Sequence, residues 1–226
     1  MRAPHEFAVS GSDTLYAGRI LALRLDQVVM PEGCVAAREI VEHPGAVAIL
    51  ALHDDASVVM IDQYRHAVGR RLRELPAGLL DTSGEDAVTT ARRELFEEVG
   101  VTARDWSVLV DVVSSPGFSD EAVRVFLARG LVEVGRPAGP DDEEADLSVV
   151  RLPLADAVRQ VLAGEIVNAS TVAGLLAAHA VLAGPKKTSD KTSGGAAAQP
   201  RPVHAPWPDR PTRFARRRGN QGGTPR

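Results

Sequence analysis

At 226 residues the chain has room for one α/β domain with appendages or for two small domains, and its formal net charge is −4. Hydrophobic residues make up 44% and charged residues 25%, and no apolar run approaches the roughly 20 residues that cross a bilayer, so a membrane-spanning helix is excluded. Cys34 is the only cysteine, which excludes an intrachain disulfide, and MRAPHEFAVSGSD at the N-terminus lacks the apolar core of a secretion signal; a cytoplasmic location is expected.

Taken in chain order, residues 18–30 and 35–43 read as two strands joined by the turn Pro31-Glu32-Gly33. Alone, such a hairpin is marginally stable and its free edge invites pairing, so residues 1–44 are expected to form a β-strand extension that supports a homodimer. Residues 46–53 and 57–65 read as a second hairpin, and Glu74-Leu75-Pro76-Ala77-Gly78 as an extended segment leading into a loop. A helix is predicted from about Glu85 to Val99, with Ser83 or Gly84 at its N-cap and Gly100 as its stop. Strands follow near 106–114, 122–129 and 147–152, then helices at 153–163 and 169–183, the second capped by Asn168 or Ser170. This succession predicts an α/β fold, a three-layer α/β/α sandwich over residues 45–184. Residues 185–200 are small and polar and read as a flexible linker, followed by a basic tail with Trp207 and Phe214 as isolated anchors that either drape over the body or stay loose. Residues 185–226 hold ten Lys/Arg against Asp190 and Asp209, a net of +8, which leaves −12 on residues 1–184.

The chemistry concentrates in the predicted central helix. Glu94 and Glu98 lie one turn apart on one face with Glu97 beside them, while Val88, Ala91, Leu95 and Val99 recur at three- and four-residue steps on another. Like charges four apart weaken a helix by a few tenths of a kcal/mol. Hard divalent cations, Mg2+ or Mn2+, would supply a reason for them; a solvated acidic face is the alternative. An acidic body repels phosphates, so a phosphate-ester substrate would require such cations to invert the local field.

Gly78, Glu85 and the run Arg93-Glu94-Leu95-Phe96-Glu97-Glu98-Val99-Gly100-Val101 resemble the Nudix box. The one departure is six residues between Gly78 and Glu85, where the family has five. The resemblance implies the Nudix α/β/α sandwich and a metal-dependent cleavage of a nucleoside diphosphate linked to another group. By resemblance the metal ligands are Glu94 and Glu98, with Glu97 shared or one layer behind them, and the carbonyl of Ala77; Arg93 anchors the glutamates, and Glu85, on another flank of the helix, supports the box or holds metal indirectly.

Further residues resemble the ADP-ribose pyrophosphatase branch of that family. They are Arg38-Glu39 with Glu42-His43, Gln63-Tyr64-Arg65, Glu74 to Gly78, the Pro116-Gly117 loop through Ser119, the acidic run Asp141 to Asp146, and the tail motif around Trp207. The resemblance implies hydrolysis of ADP-ribose to AMP and ribose 5-phosphate. Arg38 and Arg65 would grip phosphate or ribose, Glu74 would accept from the base, and Gly117 and Ser119 would contact substrate. The general base implied is Glu144, directly before Ala145-Asp146, with Glu143 as the fallback. His43 and His66 read as structural. Another nucleoside diphosphate sugar or a dinucleotide is an alternative substrate, and a non-catalytic ADP-ribose sensor is the alternative outside enzymes. The expected partner is therefore a small nucleotide sugar, with no membrane and no nucleic acid.

Overall fold

The computed structural model describes residues 5–82, 84–137, 146–184 and 198–215. The described residues fall into two compact units, drawn from Met1–Gly45, Val113–Ala122 and Asp209–Arg226, and from Ala46–Val112 and Val123–Pro208.

The first unit is a three-stranded antiparallel sheet of β1 (Val9–Ala17), β2 (Ala22–Val29) and β3 (Val35–Glu42), in that order. Strands β2 and β3 occupy the expected hairpin. Strand β1 has no counterpart in the sequence reading, because VSGSDTLYA carries almost no buried position and is held by pairing with β2 alone. The loop after Val113 is fastened to β3: the Val41 N–H donates to the Phe118 carbonyl at 2.7 Å and the His43 N–H donates to Asp120 Oδ1 at 2.8 Å.

The second unit is built on a mixed sheet in the order β10-β5-β4-β9-β8-β11, with β6 paired to β5 and β7 to β4. Its strands are β4 (Ala46–Leu52), β5 (Ser57–Arg65), β6 (Arg70–Glu74), β7 (Ala77–Leu79), β8 (Val101–Val113), β9 (Ala122–Glu133), β10 (Ser148–Pro153) and β11 (Arg201–Pro202). Only β4 and β9 run parallel among the strand pairs with a resolved register. Helix α1 (Ala87–Val99) covers one face, and α2 (Leu154–Leu162) with α3 (Ala169–Ala183) covers the other.

Strand β4 shows why. A strand's side chains alternate between faces, so Val47, Ile49 and Ala51 meet Val88, Ala91 and Leu95 of α1 in one cluster. Ala48, Leu50 and Leu52 meet Leu154, Ala157, Val158, Leu175 and Ala178 of the other helices in a second. Burial on both faces turns the strand into a continuous apolar run, AVAILAL. The α/β/α sandwich expected from the element order is the fold of this unit. No helix among the described residues is long and apolar enough to cross a membrane.

Two boundaries differ from the sequence reading. Helix α1 starts at Ala87 rather than Glu85, and its cap is Asp86, whose carboxylate accepts from the Thr89 N–H at 2.8 Å; Gly84 lies outside it and Ser83 outside the described residues. Strand β8 begins at Val101, directly after Gly100, although Thr102, Arg104 and Asp105 hide its periodicity. Gly100 closes α1 in the left-handed region (φ 68°), and a Cβ there would stand 2.4 Å from the Arg136 backbone nitrogen, so glycine is required on both counts. Asn168 caps α3 as expected, accepting from the Thr171 N–H at 3.0 Å. The segment containing Trp207 is anchored: β11 pairs antiparallel with β8, and Val203, Ala205 and Trp207 pack on the α1-side cluster.

Candidate active site

The glutamates of α1 meet the chain where β7 passes in front of the helix. β7 is antiparallel to β4, with Ala77 opposite Ala48 and Gly78 opposite Val47. β4 in turn lies under α1, so β7 is fixed against the helix. The Ala77 N–H donates to Glu98 Oε2 at 2.9 Å. Glu98 is buried, and a buried carboxylate requires such a partner. One residue later, a Cβ added to Gly78 would stand 2.1 Å from the carboxyl carbon and Oε1 of Glu94. The bare backbone at Gly78 is what lets the Glu94 carboxylate lie there.

Arg93 ties the acidic groups together. Its Nη1 stands 2.9 Å from Glu94 Oε1 and 2.8 Å from Glu97 Oε2, and its Nη2 3.3 Å from Glu85 Oε2. Burial by itself would lower the Arg93 value; the Glu85 hydrogen bonds, the Glu94 charge and the Glu97 hydrogen bond outweigh it and raise it, so the guanidinium stays charged. The hydrogen bonds from Arg93 hold the Glu85 carboxyl below the ordinary glutamate value against some desolvation, helped by Thr90, whose hydroxyl donates to Glu85 Oε2 at 2.9 Å. Because α1 begins at Ala87 with Asp86 as its cap, Glu85 sits before the helix, not on a flank of it. Thr90 carries no sequence signal, since its role appears only once the residues before Asp86 fold back over the first turn.

Glu94, Glu97, Glu98 and Ala77 thus come together around one turn of α1. Among the described residues, no three acidic, histidine or cysteine side chains are already gathered in the manner of a metal centre. The donor types nevertheless suit a hard cation: carboxylates and, by the resemblance, the Ala77 carbonyl, with Gly78 leaving room for the Glu94 carboxyl itself.

The remaining expected residues fall in several places. Arg65, at the end of β5, donates from Nε to Glu74 Oε2 at 3.0 Å, and its side chain is 41% exposed. Glu74 is buried, its Oε1 accepting from Asn168 Nδ2 at 3.1 Å, so both oxygens already have partners, and Arg65 is the member of that pair that faces solvent. In the other unit, Arg38 lies on β3, exposed, with Nη1 donating to the Ala37 carbonyl at 2.8 Å. Gly117 is in the turn closed by the Phe118 N–H on the Ser115 carbonyl at 3.1 Å. Ser119 donates its hydroxyl to the Val41 carbonyl at 3.2 Å and accepts from the Glu121 N–H at 3.1 Å. Glu143 and Glu144 lie outside the described residues. Asp146, just after them, accepts from Arg71 of β6 on its carboxylate and, at 3.0 Å, on its backbone carbonyl; nothing in the sequence singled out Arg71.

Residues 42–173 match the NUDIX domain. The chain is 54% identical to an ADP-ribose pyrophosphatase of Mycobacterium tuberculosis, over 97% of this chain and 100% of that protein. It is 38% identical to an ADP-ribose pyrophosphatase of Bacillus subtilis, over 70% of this chain and 85% of that one. Among solved structures, that of an ADP compounds hydrolase superposes with a TM-score of 0.66 at 23% identity, covering 79% of this chain and 95% of the other, a likeness of fold.

Proposed function

The chain belongs to the NUDIX family, and from that premise we propose that it is a divalent-cation-dependent pyrophosphohydrolase that cleaves ADP-ribose to AMP and ribose 5-phosphate. The observation that carries the reading is the meeting of the Ala77-Gly78 backbone with Glu94 and Glu98, a cluster of oxygen donors beside a charged Arg93. The substrate rests on the two relatives that are ADP-ribose pyrophosphatases.

Glu94, Glu98 and the Ala77 carbonyl would hold Mg2+ or Mn2+, with Glu97 shared. The cation, when bound, neutralises charge on the pyrophosphate and lowers the pKa of a bound water. Arg93 orients the carboxylates through charge-assisted hydrogen bonds. Arg65, held from behind by buried Glu74, offers its exposed donors to phosphate or ribose. Glu144, with Glu143 as the fallback, takes the proton of the attacking water as the water oxygen bonds to phosphorus and a bridging P–O bond breaks. Arg38, Gly117 and Ser119 are the further substrate-binding residues that the family resemblance implies, and the chain works as a homodimer whose first-unit strands associate; a fully active monomer by light scattering would oppose that.

The decisive assay measures AMP release from ADP-ribose, other ADP-sugars, NADH and dinucleoside polyphosphates, with Mg2+ or Mn2+ and with chelator. Cation-dependent AMP release with the highest kcat/KM on ADP-ribose is expected. Binding of ADP-ribose without cleavage would make the chain a sensor, and a higher kcat/KM on another substrate would reassign it.

A further inference from the structure

Arg124, on the central strand β9, is nearly fully buried, and its donors are satisfied by Asp111 of β8 together with the C-terminal segment. Its Nε and Nη2 donate to the Asp111 carboxylate at 2.8 and 3.0 Å. Its Nη1 donates to the Ala205 carbonyl at 2.7 Å, and Nη2 also donates to the Pro206 carbonyl at 3.0 Å. The Trp207 ring covers the guanidinium, 4.7 Å from carbon to ring centroid. Upstream, Arg201 binds the same Asp111 at 2.9 Å, and Arg201 and Pro202 pair with Val108 and Ser107. A buried arginine is costly unless its donors are satisfied, so β8 and β9 present a receptor that is complete only with residues 201–207 in it.

The same segment reaches the start of α1. Val203, Ala205 and Trp207 pack on the core cluster to which Val88, Ala91 and Leu95 of α1 contribute. His204 stands close enough to Asp86, the N-cap, for its charge to bear on that carboxylate. The first turn of α1 in turn carries Thr90, which with Arg93 holds Glu85.

We propose that residues 198–208 are a docked peptide ligand of this chain's own body, clasped by Arg124 and Asp111, and that this docking positions the first turn of α1 for the reaction. The docking stands on the contacts alone; the effect on the reaction rests on the hydrolase reading above. Trp207 is a positioning residue, and the ring face, not its N–H, carries the contact, because Trp207 Nε1 is buried without an acceptor among the described residues.

The test uses the full chain with a specific protease site inserted within residues 185–197. After cleavage, the fragment from 198 onward is expected to co-elute with the body in gel filtration, with kcat within about twofold of the uncut protein. In the cut Trp207→Ala variant the fragment should leave, and kcat should fall about ten- to a hundredfold with KM for ADP-ribose little changed. Trp207→Phe, which keeps a ring over the guanidinium and removes an unpaired donor, should retain both fragment and kcat. If Trp207→Ala does not fold, a labelled synthetic peptide of residues 198–215 should exchange into the cut wild-type protein, and the same peptide with Ala at position 207 should not. A wild-type fragment that elutes separately overturns the docking, as does equal exchange of both peptides. Loss of the fragment with unchanged kcat overturns the positioning role. An intact chain that releases no AMP from ADP-ribose would refute the hydrolase reading and the positioning with it, while co-elution would still report the docking.

Discussion

Gly78 and Glu94 show how little separates a carboxylate in place from one displaced. A methyl group on Gly78 would overlap the Glu94 carboxyl, which sits at the end of a flexible side chain and can turn away. Gly78→Ala should therefore leave the melting temperature nearly unchanged, while kcat falls by about a hundredfold, the cost of a misplacement near 1 Å; equal losses of stability and activity would show that the backbone, not the carboxylate, had moved. Glu94→Gln and Glu98→Gln keep shape and remove charge, and each should cost several kcal/mol of transition-state stabilisation, measured as kcat/KM at saturating Mg2+. Glu85→Gln should cost less, since Glu85 binds Arg93 and Thr90. Glu144→Gln should lower kcat by roughly 10² to 10⁴ with little change in ADP-ribose affinity; if Glu143→Gln has that effect instead, the base is one residue earlier.

Helix α1 couples its stability to the acidic cluster through its first turn. Asp86 caps it, and hydrogen bonds from the Thr89 side chain and backbone hold the Asp86 carboxyl below the ordinary aspartate value of 3.8, against slight desolvation. Asp86→Ala should cost about 1 kcal/mol, a fall in melting temperature of about 2–4 °C, whereas Asp86→Asn preserves the capping acceptor. The sign with pH follows from the depressed value. The folded state holds the carboxylate more strongly than the unfolded chain does, so the charge-dependent part of the stability is present above 3.8 and is lost as pH falls through the lower folded value. Acid melts of wild type and Asp86→Asn should therefore converge below that range; a constant gap at all pH values would show that the charge contributes nothing.

For the whole molecule, the two apolar layers on either side of β4 are built without the glutamates of the α1 site, so the metal and the fold are separable. A cation at about 100 times its Kd adds about 2.7 kcal/mol, so EDTA should lower the melting temperature by roughly 5–10 °C and abolish AMP release while circular dichroism stays native. Loss of the native spectrum on chelation would make the metal structural. Restoration of activity by Mg2+ or Mn2+ distinguishes the working ion.

The sequence by itself determined the family and the layered fold. Its patterns are local: Val88, Ala91, Leu95 and Val99 mark an inward helix face, AVAILAL a strand, and Gly100 a helix stop. It could not reveal β1, β6 or β11, because VSGSDTLYA, RRLRE and the two-residue β11 carry no apolar alternation and exist through partner strands. Only the tertiary structure decided that Gly78 backs onto Glu94, that Glu74 is buried between Arg65 and Asn168, and that Arg124 closes on Ala205, Pro206 and Trp207. Those contacts join residues from 9 to 94 positions apart, and no period in a sequence records which distant groups a buried charge must find to be satisfied.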